Sequence, residues 1–123
     1  MRIETVRDAA DLVTPLFQRG NEGLVAIHLD GSGVLNGMSE FAGGPDSVVL
    51  PKKDLLTEMV RFGAECLIIA HNHPSGDPAP SDADLSTTRE LASVTQALGI
   101  RLLDHIIVGS EGRCTSLRAA GLL

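Results

Sequence analysis

The chain has 123 residues, 43% of them hydrophobic and 21% charged, with a net charge of −6. This is enough for one domain with a real core. The acidic balance, with Lys52-Lys53 as its densest basic spot, disfavours nucleic acid and anionic membranes as partners, because binding to phosphate arrays needs clustered Lys and Arg. With three Phe and no Trp or Tyr, the core must be built from Leu, Val, Ile and Ala. The two cysteines, Cys66 and Cys114, form no CxxC, which excludes the Cys-rich zinc pattern. Met1-Arg2-Ile3-Glu4 opens no apolar signal region, and no stretch is long and apolar enough to span a bilayer, so a reducing cytoplasm is the expected location.

In chain order, Asp8 to Gln18 carries Ala9, Leu12, Val13, Leu16 and Phe17 at helical spacing, although Pro15 works against its second half. Leu24 to Leu29 reads as a strand that turns at Asp30-Gly31-Ser32-Gly33 and returns over Val34 to Phe41. A turn at Gly43-Gly44-Pro45-Asp46 and a short strand over Ser47 to Leu50 follow. Asp54 to Phe62 is a helix introduced by Pro51 and stopped by Gly63. Cys66 to Ala70 is a continuous apolar run, expected as a strand buried on both faces, with Cys66 as a small buried hydrophobe. After a proline-rich loop, Ser81 to Leu98 is the clearest helix, with Leu85, Thr88, Leu91, Ala92, Thr95 and Leu98 on one face and Gly99 as its stop. Ile100 to Val108 and Arg113 to Leu117 complete the strands. This alternation predicts an α/β (α+β) class: residues 1–123 as a single domain with a central sheet flanked by helices.

The chemistry concentrates between His71 and Asp84. Two histidines two apart at a strand end project to one side, with Asn72 facing away. Ser81 and Asp84, three apart at a helix start, share a face, whereas Asp82 is turned roughly 100° from Ser81. Asp84 is therefore the better partner for the histidines. Two imidazoles and a carboxylate leave a tetrahedral zinc one open position, the catalytic arrangement. Such a site also needs a carboxylate to move protons, and Glu22, just ahead of the Leu24 strand, is available. Ser81-x-x-Asp84 is in addition a helix-capping pattern, and the two roles are compatible. His28, six residues beyond Glu22, lies too far along the strand for this site and should have a local partner. Asp104 and His105 are expected as a hydrogen-bonded structural pair, Asp77 as a turn residue and Lys52-Lys53 as a solvated helix start.

Glu22, then His71-x-His73, seven residues, Ser81, two residues and Asp84 resemble the motif of the JAMM metalloproteases, also called the MPN or JAB family. The wording His71-Asn72-His73-Pro74-Ser75-Gly76-Asp77-Pro78 together with Leu103-Asp104-His105-Ile106-Ile107-Val108-Gly109 is similar to its RadC-like JAB branch, over most of the chain. Phe41 to Lys53 departs from the usual wording of that branch. The resemblance implies a single JAB/MPN-like domain with a curved mixed sheet between helices. It implies zinc held by His71, His73 and Asp84, Glu22 as general base and acid, and Ser81 as a donor to the oxyanion. The implied activity is hydrolysis of an amide bond in a peptide or protein, with ubiquitin-like proteins among the candidate substrates. The alternative is a non-catalytic JAB-like interaction domain of the kind associated with DNA-repair-type proteins. A zinc deaminase is excluded, because its His-x-Glu and Pro-Cys-x-x-Cys elements are absent.

Overall fold

The computed structural model describes residues 1–17, 20–43 and 50–123. Helix α1 (Val6–Val13) starts earlier than its apolar spacing suggests. Thr5 accepts the Asp8 N–H while the Asp8 carboxylate accepts the Thr5 N–H, a reciprocal cap that fixes the first turn. The helix then tightens into a 3-10 turn at Thr14–Leu16 around Pro15. It therefore does not continue to Phe17, and Gln18 lies outside the described residues. Strands β1 (Gly23–Leu29) and β2 (Leu35–Ala42) form the expected hairpin. The Asp30 carboxylate holds its turn by accepting the Ser32 and Val34 N–H groups. Val34 stays outside β2 and bridges to Arg2 instead. Most of the turn and short strand expected between Gly43 and Leu50 falls on residues 44–49, outside the described residues.

Helix α2 (Lys52–Arg61), strand β3 (Cys66–Asn72), helix α3 (Asp82–Ala97), strand β4 (Arg101–Val108) and strand β5 (Cys114–Ser116) follow, each close to its expected span. Leu98, expected on the buried face of α3, is 46% exposed. It is the C-cap residue, where the chain leaves the helix towards Gly99 at φ 71. Lys52, at the start of α2, forms an exposed ion pair with Glu90 of α3.

The strands form one mixed sheet in the order β2-β1-β3-β4-β5. All neighbours are antiparallel except β3 and β4. Joining two parallel neighbours requires a crossover, and α3 is that crossover. Central β3 has all seven residues buried, as its unbroken apolar run predicts. On one face, Val25, Ile27, Leu29, Ile68, Ala70 and Ile106 pack against Ala9 and Val13 of α1. On the other, Leu24, Ala26, Leu67 and Ile69 pack against Leu55 and Met59 of α2 and Leu91 of α3. The result is a single mixed α/β domain with a JAB-like layout. Among the described residues no helix is long and apolar enough to cross a membrane.

One irregularity decides what faces where. The β3–β4 register jumps from Leu67↔Leu102 to Ile68↔Asp104, leaving Leu103 as the extra residue of a bulge. Asp104 therefore falls in step with Ile106 and Val108 on the α1 face, while His105 falls in step with Ile107 on the α3 face. As consecutive strand residues, Asp104 and His105 project to opposite faces, so the expected pair does not form between their side chains. The Asp104 carboxylate instead accepts the Ser116 hydroxyl at 2.5 Å and the N–H groups of His105 and Arg118 at 2.8 and 3.1 Å. His28 has the local partner expected of it: its Nε2 lies 2.8 Å from Ser39 Oγ, and its ring stands 5.0 Å from that of Phe62.

Candidate metal centre

Register brings the site together. Leu24 pairs with His71 across the antiparallel β1–β3 ladder. Two more steps place Glu22 opposite His73, and strand parity puts Glu22, Leu24, His71 and His73 on the α3 face. Asn72 points to the other face, as alternation predicts. There its amide oxygen accepts the Gly23 N–H at 2.7 Å and its amide nitrogen donates to the Asn21 carbonyl at 2.9 Å. This clamp grips the backbone on both sides of Glu22. From above β3, the first turn of α3 lowers Asp84. Ser81 Oγ accepts the Asp84 N–H at 3.1 Å and the Ser81 N–H donates to Asp84 Oδ2 at 2.8 Å, a complete capping box. The Ser81 hydroxyl proton is not used in the cap.

The structure brings Asp84 and Glu22 each to the histidine pair His71 and His73. Asp84 Oδ1 lies 2.9 Å from His71 Nε2, Asp84 Oδ2 lies 3.0 Å from His73 Nε2, and the two Nε2 atoms are 3.2 Å apart. One carboxylate oxygen of Glu22 and one ring nitrogen of each histidine lie within 4.8 Å of one another, so these three residues can hold a metal ion. Asp84 is the carboxylate that touches both rings, whereas Glu22 completes a looser group with them.

The donor set suits a cation. His73 Nδ1 faces the Asp77 carbonyl at 2.9 Å. A carbonyl only accepts, so Nδ1 carries a proton, which leaves Nε2 as the nitrogen that can offer a lone pair to a metal. That Nε2 faces a carboxylate oxygen of Asp84 and Nε2 of His71. Two nitrogens bound about 2.0–2.1 Å from a tetrahedral zinc stand about 3.3 Å apart, close to the 3.2 Å observed. The residues therefore fit zinc, and imidazole with carboxylate is a ligand chemistry zinc accepts. Burial pushes the Asp84 carboxyl up, but the hydrogen bonds from His71 and the Ser81 N–H outweigh it and hold it well below the usual carboxylate range.

Behind His71 lie His105, read from the sequence mainly as a structural partner of Asp104, and Thr88, read only as part of the buried face of α3. His71 Nδ1 is 2.7 Å from His105 Nε2, His105 Nδ1 is 2.6 Å from Thr88 Oγ1, and Thr88 Oγ1 donates to the Asp84 carbonyl at 2.8 Å. Burial, followed by the neighbouring His71, pushes the His105 imidazole down to about 3, so it is neutral. Strand parity and the Asp84-to-Thr88 spacing of four residues were legible signals for this contact. The Leu103 bulge, which decides the face of His105, was not.

The loop between β3 and α3 is fixed from the side. The Gly76 carbonyl accepts from the Ser110 N–H at 2.9 Å and from Arg113 Nη2 at 2.7 Å. Gly109 packs directly on that carbonyl, and a Cβ there would also meet Pro78 Cδ at 2.9 Å. Gly109→Ala is therefore expected to push the loop away and cost about 1–3 kcal/mol, read as a lowered denaturant midpoint at unchanged slope. An unaltered midpoint would mean that the two loops can separate freely. A cleft of about 220 Å³ opens beside Glu22, lined by Phe17, Leu24, Phe41 and Ala42 with Glu40 at its side.

A mixed sheet with helices on both faces, carrying two strand-end histidines to a helix-cap aspartate beside a glutamate from the next strand, is the arrangement of a JAB-type domain. The chain belongs to the RadC-like JAB domain family, which matches residues 3–122. It is similar to the UPF0758 protein of Aquifex aeolicus, 40% identical over 122 residues, covering 98% of this chain and 52% of that protein. It is also similar to a UPF0758 protein of Geobacter sulfurreducens, 41% identical over 106 residues (85% of this chain and 46% of the relative). A third, from Clostridium acetobutylicum, is 36% identical over 125 residues, covering all of this chain and 54% of the relative. The chain thus spans about half the length of the curated relatives it matches.

Proposed function

We propose that this domain is a zinc-dependent hydrolase that cleaves an amide bond, as a metallopeptidase or isopeptidase. The observation that carries the reading is the meeting of His71 Nε2, His73 Nε2 and the Asp84 carboxylate within 3.2 Å, with Glu22 alongside. His71, His73 and Asp84 would hold the ion. Zinc bound there supplies Lewis acidity, which polarises a carbonyl and lowers the pKa of water to about 7. Glu22, half-buried and clamped through its flanking backbone, takes the proton from the attacking water and returns it to the leaving amine. Ser81, exposed at the start of α3 with its hydroxyl proton free of the cap, donates to the oxyanion of the tetrahedral intermediate.

The substrate in this reading is a peptide or protein, with ubiquitin-like proteins among the candidates, and the cleft beside Glu22, lined by apolar and polar groups alike, takes a neighbouring side chain. The net charge of −6 keeps nucleic acid disfavoured. Two free cysteines suit a cytoplasmic setting. The test is elemental analysis of protein purified without chelator. Wild type is expected to carry near one zinc per chain and His73→Ala little. Wild type without metal, even after zinc is added, would overturn the hydrolase reading and leave the non-catalytic interaction domain in its place.

A further inference from the structure

We propose that His105 and Thr88 are positioning residues that set the proton arrangement His71 needs to bind metal, through a buried chain running from His71 to the backbone of Asp84. The inference rests on the reading of His71 as a ligand. The chain links three elements: His71 on β3, His105 on β4 and Thr88 on α3, at 2.7 and 2.6 Å, ending 2.8 Å from the Asp84 carbonyl. His105 and Thr88 are 1% and 2% exposed, so water does not substitute for either partner.

Only one arrangement of protons is compatible with a metal on His71 Nε2. A ligating nitrogen carries no proton, so the neutral ring of His71 is protonated at Nδ1. Its hydrogen-bond partner there is His105 Nε2, which must accept. His105 is then protonated at Nδ1 and donates to Thr88 Oγ1. The Thr88 hydroxyl, having accepted, sends its own proton to the Asp84 carbonyl, which can only accept. Every donor has an acceptor, and the chain begins on one proposed ligand and ends on the backbone of another. Metal-binding histidines usually pass their second N–H to a carboxylate, a backbone carbonyl or water. Here the His105 imidazole takes that place and hands the requirement on to a helix hydroxyl.

Removing the hydroxyl breaks the terminus. In Thr88→Val, of nearly the same shape, His105 Nδ1–H has no acceptor when metal is bound, and the opposite tautomer of His105 sets a proton against His71 Nδ1. Zinc affinity, measured by chelator competition, is expected to fall about 10–100-fold, the usual cost of losing such a supporting partner. Thr88→Ser, which keeps the hydroxyl, is expected to recover most of it. Nitrogen-15 spectra of the zinc-loaded wild type should show His105 protonated at Nδ1 alone, a readout that does not depend on any variant folding. If Thr88→Val binds zinc as tightly as wild type while His73→Ala does not bind it, the chain is not a positioning device and the metal reading stands. A His105 protonated at Nε2 in the loaded protein would overturn the proposal in the same way. If wild type takes up no zinc at all, the metal reading fails and this inference fails with it.

Discussion

Glu22→Gln is expected to lower amide hydrolysis about 10²–10⁴-fold while leaving near one zinc per chain. At 1.36 kcal/mol per decade this is roughly 3–5 kcal/mol of barrier. The substitution keeps the size and shape of the side chain and removes only its ability to take a proton. The backbone that carries it is held independently, by Asn72 through the Asn21 carbonyl and the Gly23 N–H. The amide should therefore occupy the place of the carboxylate, with kcat falling and KM little changed. Peptide and ubiquitin-like amides serve as substrates, with zinc content measured on the same preparations. Activity within a few-fold of wild type would place the proton-transfer group elsewhere. Loss of zinc together with activity would make Glu22 a ligand, in keeping with its place in the group with His71 and His73.

Asp84→Ala is expected to reduce zinc to a small fraction of one per chain and to destabilise the metal-free protein by about 1 kcal/mol. The two effects have separate origins. The carboxylate touches both histidines, so its loss removes the charge that balances the ion. The same carboxylate accepts the Ser81 N–H at the start of α3, and losing a helix cap costs on the order of 0.5–2 kcal/mol. Asp84→Asn divides them, because its amide oxygen can still cap while the negative charge is gone. The expected pattern is a denaturant midpoint near wild type in Asp84→Asn, a lower one in Asp84→Ala, and weakened zinc binding in both. Full zinc occupancy in Asp84→Ala would remove Asp84 from the ligand set and promote Glu22 in its place.

Much of the site was legible because it depends on short-range periodicity. The two-residue spacing of His71 and His73 fixes their common side, and the three-residue spacing of Ser81 and Asp84 fixes theirs; the structure keeps both. The unbroken apolar run of β3 announced a central strand. Glu22 was harder, because its meeting with the histidines requires β1 and β3 to be neighbours in one particular register, and strand adjacency is a long-range property. His105 was misplaced for a related reason. A side-chain pair with Asp104 is ruled out by the same alternation that sets Asn72 apart from His71 and His73; which of the two residues faces α3 is decided by the bulge at Leu103, and a bulge leaves little trace in composition. The early start of α1 is set by the Thr5–Asp8 cap, which apolar spacing alone does not register.

Asp104 gives strand β4 two allegiances. Its carboxylate takes the Ser116 hydroxyl and the Arg118 N–H, while the Arg118 guanidinium reaches back to the Leu103 and Leu102 carbonyls. The last stretch of chain is thereby sewn to one face of the strand that presents His105 on the other. Clipping this stretch away would remove two of the three donors to the buried Asp104 carboxylate and leave it only the His105 N–H. The strand would have to shift to hydrate it, and His105 would shift with it. Proteolytic trimming or a fusion that pulls on residues 116–123 thus has a route to the histidines across the thickness of a single β-strand.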